Sequence, residues 1–145
     1  MADVHDKVTR SYNMSRIKGQ DTKPEILVRK FLFSHGYRYK LHEKKLSGKP
    51  DIVLPKYRTV LFVHGCFWHG HENCRYFVIP KTRTKFWMNK IQNNKQRDLD
   101  NISILKDNGW RVFTIFECEL RPKMQSKTLN RILTRLNKTA GIDKA

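Results

Sequence analysis

The sequence predicts a single α/β domain in which a mixed central sheet is flanked by helices. Patterns typical of helices and of strands follow one another in the order α-β-β-β-loop-α-β-α. The length of 145 residues suits one domain with a core of its own. A compact set of cysteines and a histidine adds a structural zinc site to this fold class.

Composition divides the chain into three parts, of which only residues 21–137 are expected to fold as a domain. Residues 1–20 are polar and basic with few apolar anchors, so we expect an N-terminal arm with a short helix around Val8–Ile17. Residues 138–145 are expected to form a C-terminal tail.

The first helix of the domain has clear start and stop signals. Thr22 can cap it, Pro24 suits its first turn, and Glu25 stands where a capping box places an acid. Gly36 is a typical C-terminal stop. Apolar residues follow helical spacing at Ile26, Leu27, Phe31 and Leu32.

Three strands are predicted after this helix. Tyr37–Leu41 alternates aromatic or apolar with basic residues, while Asp51–Leu54 and Thr59–Val63 are short apolar runs. A turn at 47–50 precedes the second run, and a turn at 55–57 separates the two runs. We therefore expect the second and third strands to form a hairpin.

The second half of the chain predicts a helix, a strand and a helix. The long helix spans about Thr84–Lys106 and ends at Asn108 and Gly109. Trp110–Glu117 reads as a strand, and the last helix is expected over residues 124–137.

The charge points to a polyanionic partner. Thirty Lys and Arg against 13 Asp and Glu give a formal net charge of +17. Small soluble domains usually carry a net charge of about 2 to 8, so the excess is typical of nucleic-acid binding. The alternatives are a generic charged surface and an RNA-coating protein of ribosomal type. The chain has no apolar run of the roughly 20 residues that a membrane span needs, and no apolar signal core at its start.

A zinc site is predicted in the loop 64–83. Cys66, His71 and Cys74 have compact ligand spacing, and Cys118 follows a predicted strand. Together they form a Cys3His set, which closes a tetrahedral zinc site and leaves no position for catalysis. His69 is an alternative to His71 as ligand, and buried apolar cysteines are the alternative to a zinc site.

Acidic residues and histidines also gather at predicted strand ends. Asp51 begins one strand of the hairpin, His64 ends the other, and His69 follows, which suggests a carboxylate ligand for Mg²⁺ and a histidine base. Glu25 and Asp98 could support them from two helices. Alternatively, Asp51 is an ordinary turn residue.

Large aromatic residues occur within the polar, basic part of the chain. Phe67, Trp68 and Trp87 could stack on bases or wedge between them. The alternative is that the tryptophans cover a small zinc core.

Six sequence blocks together resemble the very short patch repair (Vsr) DNA mismatch endonucleases, over roughly residues 5–135. They are Thr9-Arg-Ser-Tyr-Asn-Met-Ser-Arg-Ile17, Gly48-Lys-Pro-Asp51, Val63-His-Gly-Cys-Phe-Trp-His69, Thr82-Arg-Thr-Lys-Phe-Trp87, Gly109-Trp-Arg-Val112 and Glu117-Cys118.

The resemblance implies a restriction-endonuclease-like fold and Mg²⁺-dependent nicking of duplex DNA. The nick falls 5′ of the T in T·G mismatches that arise when 5-methylcytosine deaminates. It further implies a bacterial cytoplasmic protein associated with the nucleoid, acting as a monomer, with mismatch-repair accessory proteins as further candidate partners.

The resemblance also implies roles for individual residues. Asp51 and the carbonyl of Val63 would hold Mg²⁺, and His69 would be the base. Three residues would hold water at the metal and orient the histidines, namely Glu25, His64 and Asp98. The zinc ligands would be Cys66, His71, Cys74 and Cys118. The residues inserted at the mismatch would be Phe67, Trp68 and Trp87 from the major groove and Met14 from the minor groove.

Three departures accompany the resemblance, and one is that the gap between His71 and Cys74 is one residue longer than is familiar in the family. The wider nuclease superfamily carries an acid and a Lys on the strand that here ends in His64, so histidine chemistry must replace that Lys. Residue 63 is Val where Thr is familiar, which is harmless if only the carbonyl binds metal. A non-catalytic zinc-stabilised nucleic-acid-binding module and a restriction-type endonuclease that cuts intact sites are the alternative functions.

Overall fold

The computed structural model describes residues 22–143, which form a four-stranded mixed sheet covered by helices. The elements in chain order are α1 (Lys23–Ser34), β1 (Lys40–Leu41), β2 (Ile52–Leu54), β3 (Thr59–His64), α2 (Thr84–Asp107), β4 (Arg111–Phe116) and α3 (Pro122–Asp143). The predicted order and the mixed sheet flanked by helices are confirmed. The predicted N-terminal arm, with Met14 and the helix around Val8–Ile17, lies outside the described residues.

The start of α1 follows the predicted capping signals. The side chain of Thr22 accepts a hydrogen bond of 3.4 Å from the backbone N–H of Glu25. Gly36 follows the helix with φ of +86°, a conformation that glycine adopts without strain. The carboxylate of Glu25 bonds to His42, which places this acid inside the domain.

Two predicted elements differ in length from those observed. The first strand is only Lys40–Leu41, because its partner β2 offers only three residues for pairing. The last helix begins at Pro122 and continues to Asp143, beyond the predicted end at residue 137. Proline at the start of a helix costs nothing, since its missing N–H would have no partner there.

Strand pairing brings the start of β2 next to the end of β3. The sheet order is β1-β2-β3-β4, with antiparallel pairs at β1/β2 and β2/β3 and a parallel pair at β3/β4. The predicted hairpin is thus confirmed. In the parallel pair His64 lies opposite Phe116, so both strands end at the same edge. Loops leaving these two ends therefore start side by side.

Alternate residues of β3 point to the two faces of the sheet. Leu61 packs into the larger core with α1 and α3, whereas Val60 and Phe62 pack against Leu105 of α2. Burial on both faces explains why β3 is an almost continuous apolar run.

The helices of the described part are too polar or too short to cross a bilayer. No helix within residues 22–143 combines the required length with apolar character.

Candidate active site and metal centre

A cavity of about 260 Å³ opens at the sheet edge where β2 begins and β3 ends. Four predicted site residues line it together with Val63, namely Asp51, His64, His69 and Asp98. They come from three separate parts of the chain: the hairpin, the loop after β3 and the long helix α2. The fold therefore brings together residues that the sequence only suggested as a group.

Asp51 is fixed in this cavity by the hairpin register. Its Oδ2 accepts a hydrogen bond of 2.7 Å from the backbone N–H of Val63. Burial raises the pKa of the Asp51 carboxyl to about 6, and the hydrogen bond from Val63 opposes that shift. A partly buried carboxylate provides oxygen donors of the kind that Mg²⁺ prefers.

A histidine–carboxylate pair stands beside Asp51. The Nδ1 of His69 lies 2.6 Å from Oδ2 of Asp98 on α2. A neutral imidazole that donates its Nδ1–H to a carboxylate keeps its lone pair on Nε2. The pair has the arrangement required of an oriented general base.

His64 supports this pair by stacking. Its ring lies flat on that of His69, with 3.6 Å between ring centroids and 3° between the planes. Burial lowers the pKa of His64 to about 4, with a further contribution from His69. His64 is therefore neutral at pH 7 and adds no charge to repel a protonated His69.

A second group of possible ligands lies beside Asp51 and includes a residue that the sequence analysis missed. Glu25, His42 and Asp51 each contribute one potential ligand atom, and these three atoms lie within 4.8 Å of one another. The sequence offers only the position of His42 directly after the first predicted strand, because its pairing with Asp51 and Glu25 depends on the tertiary fold.

The predicted zinc ligands meet at the edge where β3 and β4 end. Ligand atoms of Cys66, His71, Cys74 and Cys118 lie within 4.8 Å of one another, and His71 Nδ1 is 3.4 Å from Cys118 Sγ. Tetrahedral zinc holds sulfur and nitrogen ligands roughly 3.3–3.8 Å apart, so the donors fit this metal. Each of the two strand ends is followed two residues later by one of these cysteines.

Gly70 separates the two groups of histidines. His69 faces Asp98, whereas His71 stacks on Phe116 beside the cysteines, with ring centroids 3.8 Å apart. Gly70 has φ of +58°, and an added Cβ would lie 2.7 Å from Ile91 of α2. The tight turn thus assigns His71, and not His69, to the cysteine group.

The three predicted intercalating aromatics form one half-buried cluster. Phe67 lies 5.5 Å from Trp87 and 5.2 Å from Trp68, all measured between ring centroids and all edge to face. Each ring is only half-buried. Asn94 of α2 donates a 2.9 Å hydrogen bond to the carbonyl of Trp68 and so fixes the loop. Rigid, half-exposed aromatics are suited to contact with bases.

Comparison with known proteins adds an independent finding. The family model for the DNA mismatch endonuclease Vsr matches residues 2–75. The chain is 48% identical to the DNA mismatch endonuclease Vsr of Escherichia coli over 83% of this chain and 77% of that protein. It is also 48% identical to the type II nicking enzyme V.NmeAIP of Neisseria meningitidis over 92% of this chain and 95% of that enzyme. The type II nicking enzyme V.XorIIP of Xanthomonas oryzae is 48% identical as well, over 83% of this chain and 88% of that enzyme.

Proposed function

The chain belongs to the Vsr family of DNA mismatch endonucleases, and from that premise we propose that it nicks duplex DNA 5′ of the T in T·G mismatches. Membership indicates a DNA-nicking endonuclease, a hydrolase of phosphodiester bonds that acts in DNA repair. The mismatch, its origin in deaminated 5-methylcytosine and the use of Mg²⁺ are our proposals. So is the likeness of the fold to restriction endonucleases.

One observation carries the proposal, namely the His69–Asp98 pair beside Asp51 in a single small cavity. A zinc-stabilised module that only binds nucleic acid has no need of such a pair. In the proposed reaction Asp51 and the carbonyl of Val63 would hold Mg²⁺. When bound there, Mg²⁺ stabilises the negative charge that develops on the phosphate and makes a nearby water more acidic.

The remaining polar residues accept the proton and position the attacking water. His69 accepts at Nε2 a proton from the water whose oxygen attacks the phosphorus, and Asp98 stabilises the resulting imidazolium. The bond between the phosphorus and the leaving sugar oxygen breaks, and that oxygen takes a proton from solvent. His64 keeps the ring of His69 in place by stacking. Glu25 orients water molecules beside Asp51. One cavity per chain suffices to cut one strand, so a monomer can perform the reaction.

Mismatch selection would follow from the cost of opening the base stack. Inserting side chains at a base step costs a few kcal/mol in intact duplex, and less where pairing is already weak. Phe67, Trp68 and Trp87 would insert from the major groove and Met14 from the minor groove. Basic residues would hold the phosphates without reading sequence.

Zinc would have a structural role. Cys66, His71, Cys74 and Cys118 supply a complete tetrahedral set, which leaves no open position for a substrate. A metal in this position joins the loop that carries His69 to the end of β4, and so stabilises the base and the aromatic cluster together.

The experiment is a nicking assay on labelled duplexes with Mg²⁺. Each duplex carries one T·G mismatch in a different cytosine-methylation context, and each has T·A and C·G controls of the same sequence. We expect one nick, 5′ of the T, in the mismatched duplex of one context. Asp51→Ala should abolish nicking but leave DNA binding intact, whereas Asp107→Ala, at the exposed end of α2, should change neither.

Two results would contradict the proposal. Equal cutting of matched and mismatched duplexes would indicate a restriction-type endonuclease. Tight binding without cutting in any context would indicate a binding module.

A further inference from the structure

Glu25 is a buried acid that the proposed reaction requires in one orientation. It lies in the first turn of α1 and is 1% exposed. Its Oε1 is hydrogen-bonded by Nε2 of His42 and lies 3.7 Å from Nη1 of Arg29. A buried carboxylate is costly unless it is paired and hydrogen-bonded, so these contacts help to hold its oxygens in place.

His42 joins Glu25 to Asp51. While its side chain bonds to Glu25, its backbone N–H donates a 3.1 Å hydrogen bond to the carbonyl oxygen of Asp51. Its φ is +49°, in the left-handed region that residues other than glycine rarely adopt. Uncommon backbone conformations of this kind cluster at functional sites, where the surrounding contacts maintain them.

We propose that His42 is a positioning residue that aims the Glu25 carboxylate at the metal site of Asp51. The inference rests on the function proposed above and adds a residue to it. Neutralising the charge of Glu25 does not by itself require His42, because the guanidinium of Arg29 is also close. Its distance of 3.7 Å exceeds a good hydrogen bond, whereas Nε2 of His42 bonds directly to Oε1 of Glu25 and gives that oxygen a direction.

Two substitutions of similar size distinguish the loss of the hydrogen bond to Glu25 from the loss of side-chain packing. His42→Gln keeps an N–H donor near the position of Nε2, whereas His42→Met keeps the bulk and has no donor. Hydrogen-bond partners of metal-site residues typically contribute about 10–100-fold to metal affinity or activity. We therefore expect His42→Met to raise the Mg²⁺ concentration for half-maximal nicking about tenfold or more, and His42→Gln to remain close to the unaltered chain.

Binding to a T·G duplex without Mg²⁺ should be the same in all three proteins. His35→Ala is the control, because His35 is an exposed histidine at the end of α1 whose ring bonds to Phe31 and Ser34. It should leave the Mg²⁺ dependence unchanged.

A double-mutant cycle tests whether His42 acts through Glu25. In Glu25→Gln the aimed carboxylate is already lost, so adding His42→Met should have little further effect on nicking. Independent, multiplying effects would overturn the inference. An unchanged Mg²⁺ dependence in His42→Met, or equal losses in the Gln and Met variants, would also overturn it.

The cycle remains decisive if His42→Met does not fold. His42→Gln still donates a hydrogen bond, so its effect on nicking should be small and equal in two backgrounds, the chain with Glu25 and the Glu25→Gln variant. If His42→Gln lowered nicking only in the chain with Glu25, the role assigned to the donor would be contradicted. Absence of Mg²⁺-dependent nicking in the unaltered chain would instead refute the proposed function itself.

Discussion

The ring of His69 is held between a carboxylate and a second imidazole: its Nδ1 lies 2.6 Å from Asp98, and its face lies 3.6 Å from the ring of His64. One contact fixes the tautomer and the other limits rotation of the ring. His64 can stack so closely because burial keeps its pKa near 4 and the ring uncharged. The base of the proposed reaction is thus oriented before DNA arrives.

His69→Ala should lower the rate of nicking by about 10²–10⁴-fold, the usual contribution of a positioned base. Binding to a T·G duplex without Mg²⁺ should change little, because the ring of His69 lies in the cavity, where it contacts Asp98 and His64. The measurement pairs single-turnover nicking with binding. His35→Ala is the matched control, and equal losses of nicking and of binding in His69→Ala would contradict the role as base.

Asp51→Asn should make the protein more stable while it abolishes nicking. The pKa of Asp51 is raised by burial from 3.8 to about 6, so the folded protein binds more protons than the unfolded chain between these values. Stability therefore falls as the pH rises from about 4 to 6. Above pH 6 the charged Asp51 carboxylate destabilises the folded protein to its full extent. Removing the charge of Asp51 should raise the free energy of unfolding by roughly 1–3 kcal/mol above pH 6 and by almost nothing near pH 4.

The measurement is denaturant unfolding at several pH values without added Mg²⁺. Asp107→Asn, at an exposed position, is the control and should show no such pH dependence. If Asp51→Asn were less stable than the unaltered chain at pH 7, the cost assigned to this carboxylate would be wrong.

Cys118→Ser should lose zinc and destabilise the domain. The thiol of Cys118 is the ligand that comes from the end of β4, whereas the other three come from the loop after β3, so its loss separates the two. We expect less than one zinc ion per chain and a loss of about 3–5 kcal/mol. Metal analysis and thermal unfolding check this, with the exposed Ser126→Ala as control. Unchanged melting of a zinc-free variant would disprove the structural role.

Much of the fold follows from local sequence signals. Thr22, Gly36 and Gly109 mark helix ends by mechanisms that act within one turn, and their predicted positions are close to those observed. The first strand was predicted too long because its extent depends on the length of β2 and not on its own residues. The start of α3 differs for the opposite reason, since Pro122, two residues before the predicted start, is itself a local signal for the first turn of a helix.

The candidate site depends more on tertiary structure. The spacing of Cys66, His71 and Cys74 was sufficient to suggest a metal, but the choice between His69 and His71 required the turn at Gly70. His42 was missed because its contact with Glu25 joins an α1 residue to the residue after β1, a pairing that no local pattern reveals.

The half-buried cluster of Phe67, Trp68 and Trp87 should determine discrimination between mismatched and matched DNA. Trp87→Ala removes a half-buried ring that packs edge to face on Phe67 and Trp68, so fewer side chains can enter an opened base step. Base–aromatic stacking contributes about 1–3 kcal/mol per base. We expect affinity for a T·G duplex to fall by roughly 5–150-fold, with little change for matched duplex. Competition binding with the two duplexes measures this ratio.

Phe86→Ala is the matched control for Trp87→Ala. Phe86 is the neighbouring aromatic on α2 and is exposed, but it packs against Arg83 and the edge of Trp87 and was not assigned to the intercalating set. It should preserve most of the preference for the mismatch. Equal weakening of matched and mismatched binding by Trp87→Ala would mean that the ring only supports general DNA contact. A loss of zinc in this variant would mean that the tryptophan covers the metal centre.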